Sequence, residues 1–128
     1  MAISASLKEM LSETLAPVGA ISFKRMFGGA GVYADRQIFA IIIADVIYFK
    51  SDATTEARFK AEGSEPFSYE TKQGTRAAMT YWRLPERLLD EPDEMVVWAR
   101  RALGVARVAA AAKESAAAKT NKARGPKR

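Results

Sequence analysis

The segment from residue 21 to residue 50 constrains the fold most. Ile21, Phe23 and Arg25 open an alternating run that continues through Met26-Phe27-Gly28-Gly29-Ala30-Gly31-Val32-Tyr33. The short polar turn Ala34-Asp35-Arg36 comes next, then the β-branched run Gln37 to Ala44, a turn at Asp45, and Val46 to Lys50. Connections this short leave no room for the crossover a parallel pair requires, so these strands are expected to form an antiparallel meander. Ile41-Ile42-Ile43 lacks the alternation of a half-buried strand. That predicts a central strand covered on both faces, with a helix against one of them.

Helical patterns surround this sheet. Ile3, Leu7, Met10, Leu11 and Leu15 share one face of a helix over 3–16, capped by Ser4 or Ser6 and stopped by Pro17 and Gly19. A short helix over 52–62 has Asp52 as its N-cap, Phe59 inward and Gly63 as its stop. Residues 66–71 and 75–82 read as a second hairpin around Lys72-Gln73-Gly74. The last helix starts near residue 92, with Met95, Trp98, Ala99, Ala102, Ala106 and Ala109 as its inward stripe. Asp90, Glu91, Asp93 and Glu94 sit at the positive end of its dipole, and Arg100, Arg101 and Arg107 lie towards the negative end. The order α-β-β-β-α-β-β-α, with a break of the first strand region at the glycines as the alternative, predicts an α+β fold, a two-layer sandwich of an antiparallel sheet with helices on one face. The 128 residues suit one domain.

Charge divides the chain unevenly. Residues 1–112 hold 14 Lys+Arg and 14 Asp+Glu, whereas Lys113, Lys119, Lys122, Arg124, Lys127 and Arg128 face Glu114 alone. The reading is a neutral domain over 1–112 and a basic Ala/Lys-rich tail over 113–128, disordered or a frayed helix. Any nucleic-acid affinity is expected to be weak, sequence-independent and confined to those six tail cations. The longest apolar run, Ile38 to Ala44, is far short of the roughly 20 residues of a membrane helix. Without a secretory signal or a cysteine, a cytoplasmic location and no membrane contact are expected.

The absence of Cys and His excludes thiolate and imidazole chemistry: zinc sites, Ser-His-Asp triads and Cys-His dyads. Gly28-Gly29-Ala30-Gly31 is not followed by a helix, so a phosphate-cradling loop is disfavoured. A bend needing positive φ or close packing is the structural alternative, and a small-ligand contact through exposed amides the other. Lys24 and Arg25 with Lys50 make a candidate cationic spot, unless Arg25 pairs with a carboxylate on a neighbouring strand. Phe67, Tyr69, Tyr81 and Trp82 are a candidate aromatic face that could stack bases or form a dimer contact, although cross-strand aromatics commonly pack within a sheet. Alternation points Tyr81 and Trp82 to opposite sides. The acidic cluster at 90–94 is better explained by helix capping than by a hard cation.

Several blocks resemble the TfoX N-terminal-domain family. They are Lys24-Arg25-Met26-Phe27-Gly28-Gly29-Ala30-Gly31-Val32-Tyr33, Ile47-Tyr48-Phe49-Lys50, Gly63-Ser64-Glu65-Pro66-Phe67-Ser68-Tyr69, Met79-Thr80-Tyr81-Trp82-Arg83-Leu84-Pro85, and Asp93-Glu94-Met95 into Trp98-Ala99. The resemblance spans residues 7 to about 108. It implies the order α-β(3)-α-β(2)-α of the secretion-chaperone-like group, with 21–33 counted as one bent strand. The family takes its name from a regulator of DNA-uptake competence in which this domain precedes a second, helical one; here an Ala/Lys tail follows instead. The resemblance supplies no catalytic residues. It marks Arg25, Met26, Phe27, Gly28, Gly29, Gly31, Tyr33 and Lys50 as family positions and candidate contacts. The resulting expectation is a non-enzymatic regulatory or adaptor domain acting by protein contact, linked to transcription or competence control. Its partner would be an unidentified protein or a second copy of the chain, with no cofactor and no metal. Two rivals stay open: a weak non-specific nucleic-acid binder through the tail, and a small-ligand binder or enzyme at the Gly28–Gly31 bend.

Overall fold

The computed structural model describes residues 4–26 and 29–124. Six antiparallel strands form one sheet in the order β1-β2-β3-β4-β6-β5. The strands are β1 (Ile21–Met26), β2 (Gly29–Ala34), β3 (Gln37–Ile43), β4 (Val46–Lys50), β5 (Pro66–Thr71) and β6 (Gly74–Arg83), with helices α1 (Ala5–Thr14), α2 (Glu56–Ala61) and α3 (Pro92–Arg124). The fold is α+β, as expected. The strand count is a correction: four strands, not three, precede α2. Residues 21–33 are not one bent strand. β1 and β2 pair antiparallel, Arg25 opposite Ala30 and Met26 opposite Gly29, so the chain reverses between them.

Two-residue turns set the meander. Asp35 and Arg36 have φ of 48° and 73°, and Ala44 and Asp45 have 52° and 60°. Positive φ at both central positions fits the type I′ hairpin, whose twist matches that of the flanking strands. Each turn also holds a distant segment. Asp35 Oδ1 accepts the Ala20 N–H at 3.0 Å, and Asp45 Oδ1 accepts the Ser4 N–H at 3.1 Å. Ser4 is the N-cap of α1, its Oγ accepting the Leu7 N–H, which settles the choice between the two serines.

Between β2 and β3 the register slips: Val32 opposes Ala40 and Tyr33 opposes Ile38, leaving Phe39 without a partner on β2. A bulge of this kind lets consecutive residues serve one side. Phe39 and Ala40 are both fully buried in the same cluster. That cluster joins all three helices to the sheet: Leu11 and Leu15 of α1, Phe59 of α2, Met95, Ala99 and Ala102 of α3, against Val32, Ile42, Phe49 and Trp82. The alanines of α3 allow close approach to β3, whose Ile42 lies beneath them. The inward stripe ends at Ala106; Ala109, expected within it, is exposed, and Leu103 is buried instead.

α2 is shorter than expected. The Asp52 carboxylate accepts the Thr54 N–H and hydroxyl at 2.9 and 2.6 Å, stabilising the turn before the helix rather than capping the helix itself. Past the core, α3 continues without a break through residue 113 to Arg124.

Candidate functional site

Pleating divides the strand residues between two faces. Val32, Ala40, Ile42, Ile47, Phe49 and Trp82 meet the helices. Cross-strand register puts Met26, Gly31, Tyr33, Ile38, Ile41, Ile43, Tyr48, Lys50, Tyr81 and Arg83 on the opposite face. None of these ten belongs to the buried cluster shared by the helices. The rings of Tyr48 and Phe67 meet edge-on at 5.0 Å, which places Phe67 there too. Tyr33, Tyr48, Phe67 and Tyr81 are all half-buried.

The two glycines of β2 belong to close packing. A Cβ at Gly31 would fall 2.8 Å from Met26 Cε, 2.9 Å from Ile38 Cδ1 and 3.1 Å from Tyr33 Cε1. A Cβ at Gly29 would collide with the carbonyl oxygen of Ile42. Neither glycine has a positive φ, so of the two structural causes expected, packing is the one at work. β2 is flanked by β1 and β3, so its amides serve the sheet ladders. An interior strand does not offer the converging free N–H groups of an anion cradle.

At one end of this face, Lys50 Nζ lies 5.0 Å from the centre of the Tyr81 ring. Burial lowers the Lys50 pKa, and the charge of Lys113 on α3 lowers it further. Burial raises the Tyr81 pKa, with a smaller contribution from Tyr33. Tyr33 and Lys113 thus act electrostatically on the Lys50–Tyr81 pair, although the four residues come from three strands and a helix.

The candidate residues therefore divide. Met26, Gly29, Gly31, Tyr33 and Lys50 share the open face, Gly29 at its margin opposite Met26. Arg25 does not join them. It is exposed on the other face, across from Ala30, and no carboxylate lies within ion-pair distance of it among the described residues. Phe27 and Gly28 lie outside the described residues. The four-membered aromatic face is corrected: Phe67 and Tyr81 are on the open face, but Trp82 is 3% exposed in the core, stacked 6.2 Å from Phe59. Its predecessor in an alternating strand had to point the other way. Tyr69 lies in β5, with its side chain outside the described residues. Sequence reading missed Tyr48, although Val46-Tyr48-Lys50 against Ile47-Phe49 carries the signal.

The acidic start of α3 is an ion-pair node. Arg87 Nε and Nη2 donate to the two Glu62 oxygens at 2.9 and 2.7 Å. Arg87 also donates to Glu91 at 2.8 Å and to both oxygens of Glu94 at 2.9 and 2.6 Å, while Trp98 Nε1 donates to Glu94 at 3.2 Å. The hydrogen bond from Arg87 is the main reason the Glu94 pKa falls to about 2. No pattern within α3 announces this node, because Glu62 lies far from it along the chain. Among the described residues no group of three His, Cys, Asp or Glu side chains could hold a metal ion.

Of the tail cations, Lys113 is exposed on α3. The side chains of Lys119, Lys122 and Arg124, and all of Lys127 and Arg128, lie outside the described residues. Among the described residues no helix is long and apolar enough to cross a membrane.

Comparison with known proteins fits this layout. The family model described as the TfoX N-terminal domain matches residues 13–106, which take in the whole sheet and the buried part of α3. The DNA transformation protein TfoX1 of Aliivibrio fischeri is 24% identical over 90 residues, covering 70% of this chain and 43% of that protein. The chain thus spans less than half the length of the curated relative it matches. With most of its length matched by the family model, this chain belongs to the TfoX N-terminal domain family.

Proposed function

We propose that the protein is a non-enzymatic regulatory domain, linked to competence or transcription control, that works by protein contact. The observation that carries this reading is the outer side of α3. Val97 and Val108 are 43% and 68% exposed, and Gly104 stands between them. Spacings of seven and four residues put all three on one helical seam. A Cβ at Gly104 would meet nothing within 4 Å. The fold therefore does not need this glycine, which costs a helix interior about 1 kcal/mol relative to alanine. Close approach of another protein's backbone does need it. The link to competence rests on family membership and on the name of the relative, a DNA transformation protein. The non-enzymatic part rests on a composition without Cys or His.

The test is a competence-gene reporter in the native host. Val108→Asp and Gly104→Leu should silence the output while leaving the purified protein's melting temperature within a few degrees of the parent. Gly104→Ala, which adds only the Cβ that the close approach excludes, should lower output by less than Gly104→Leu. Full output from Val108→Asp and Gly104→Leu together would sink the proposal.

A further inference from the structure

The open face of the sheet has a chemistry that the overall charge conceals. Residues 1–112 are neutral in sum. Yet the charged strand residues that register places on this face, among the described residues, are Lys24, Lys50 and Arg83, all basic. Between them lie Tyr33, Tyr48, Phe67 and Tyr81, half-buried rings on a sheet surface outside the core cluster. Several carboxylates of the domain are drawn away from this face. Glu62, Glu91 and Glu94 converge on Arg87, while Asp35 and Asp45 sit in hairpin turns.

We propose that this face binds single-stranded nucleic acid, its rings stacking on bases and its cations following the phosphates. Half-buried aromatics interleaved with Lys and Arg on an antiparallel sheet have the two elements such binding requires, a sequence-tolerant stacking platform and a positive track. The rival occupant, a second copy of the chain, fits poorly. A two-fold contact through this face would set one copy's Lys24, Lys50 and Arg83 against a face carrying the same three cations, with no carboxylate among the described strand residues of the face to answer them. A duplex fits poorly as well, because its bases are already stacked. Lys113 is close enough for its charge to act on Lys50, and α3 runs on from it through residues 119, 122 and 124. The tail then contributes general attraction, and the sheet distinguishes single strands from duplex.

Fluorescence anisotropy tests this with the full chain and a labelled oligo-dT of about 16 nucleotides, the upper end of site sizes on comparable sheets. The parent should bind oligo-dT at least about tenfold more tightly than a duplex of equal length, consistent with the value of one or two stacked bases. Tyr48→Ala should weaken oligo-dT binding about tenfold, and Tyr48→Phe should restore most of it. Lys24→Glu alters an exposed side chain and should weaken binding without moving the melting temperature, so the inference does not depend on Tyr48→Ala folding normally. A full chain with Lys119→Gln, Lys122→Gln and Arg124→Gln should lose duplex binding but keep its preference for oligo-dT. Equal affinity for single strand and duplex would overturn the proposal. So would parental oligo-dT binding by both Tyr48→Ala and Lys24→Glu. Displacement of oligo-dT by polyglutamate of matched charge would overturn it in favour of an acidic protein partner.

Discussion

Arg87 and Glu62 form a bidentate pair, Nε to Oε1 at 2.9 Å and Nη2 to Oε2 at 2.7 Å, between the segment that follows β6 and the end of α2. The same guanidinium holds Glu94 in the first turn of α3, so one side chain ties three parts of the chain together. Hydrogen bonding to Arg87 lowers the pKa of both Glu62 and Glu94, the latter to about 2. A carboxylate whose folded pKa lies below its unfolded value stabilises the fold above the unfolded pKa, about 4.3, and loses that contribution as pH falls through the folded one. The gap in melting temperature between the parent and Arg87→Met should be steady from neutral pH to about pH 5 and close towards pH 2. The groups are part-exposed, so the gap should also narrow in about 1 M salt. An unchanged gap at low pH would show that Arg87 acts through packing of its stem.

Gly31 has Met26, Ile38 and Tyr33 around the place a methyl would occupy, each within 3.1 Å. Gly31→Ala should destabilise the fold by about 1–3 kcal/mol, the usual cost of overpacking. Gly29→Ala should cost more, since it meets the backbone of β3 rather than side-chain ends. Urea unfolding at constant m-value measures both. If both variants unfold like the parent, the packing role fails and a contact role for the glycines gains weight.

Ala44 sits at φ 52° in the β3–β4 turn, where an L side chain is strained. Ala44→Gly should therefore stabilise the protein by about 0.5–1 kcal/mol, the relief of strain exceeding the added freedom of the unfolded chain. A lowered urea midpoint would contradict this reading of the turn.

The meander was legible because Asp35-Arg36 and Ala44-Asp45 are too short to be anything but hairpin turns. The fourth strand was legible only as an alternative, a break at the glycines, because no polar turn stands between Arg25 and Tyr33 to decide between a bend and a reversal. Alternation separated Tyr81 from Trp82 correctly, but only packing against Phe59 decides which of the two goes inside. The charge count is silent on placement. Neutrality over 1–112 says nothing about where the charges lie, and register gathers Lys24, Lys50 and Arg83 on one face while Arg87 collects the glutamates. Sums along a chain discard the geometry that makes a surface basic.

Deleting residues 113–128 tests whether the end of α3 belongs to the fold. The helix is continuous to Arg124, yet its buried stripe stops at Ala106. Lys113 is exposed, and its charge lies close enough to lower the Lys50 pKa. Removal therefore takes away the last turns of α3 and one like-charge repulsion, and no core contact among the described residues. Thermal melts of the full and shortened chains should agree within a few degrees, since about 1 kcal/mol shifts the midpoint of a domain this size by only several degrees. Loss of a cooperative transition in the shortened chain would show that the last turns of α3 stabilise the sheet. An unchanged melt would place the tail's contribution in binding, where the salt dependence of duplex affinity should fall along with the removed cations.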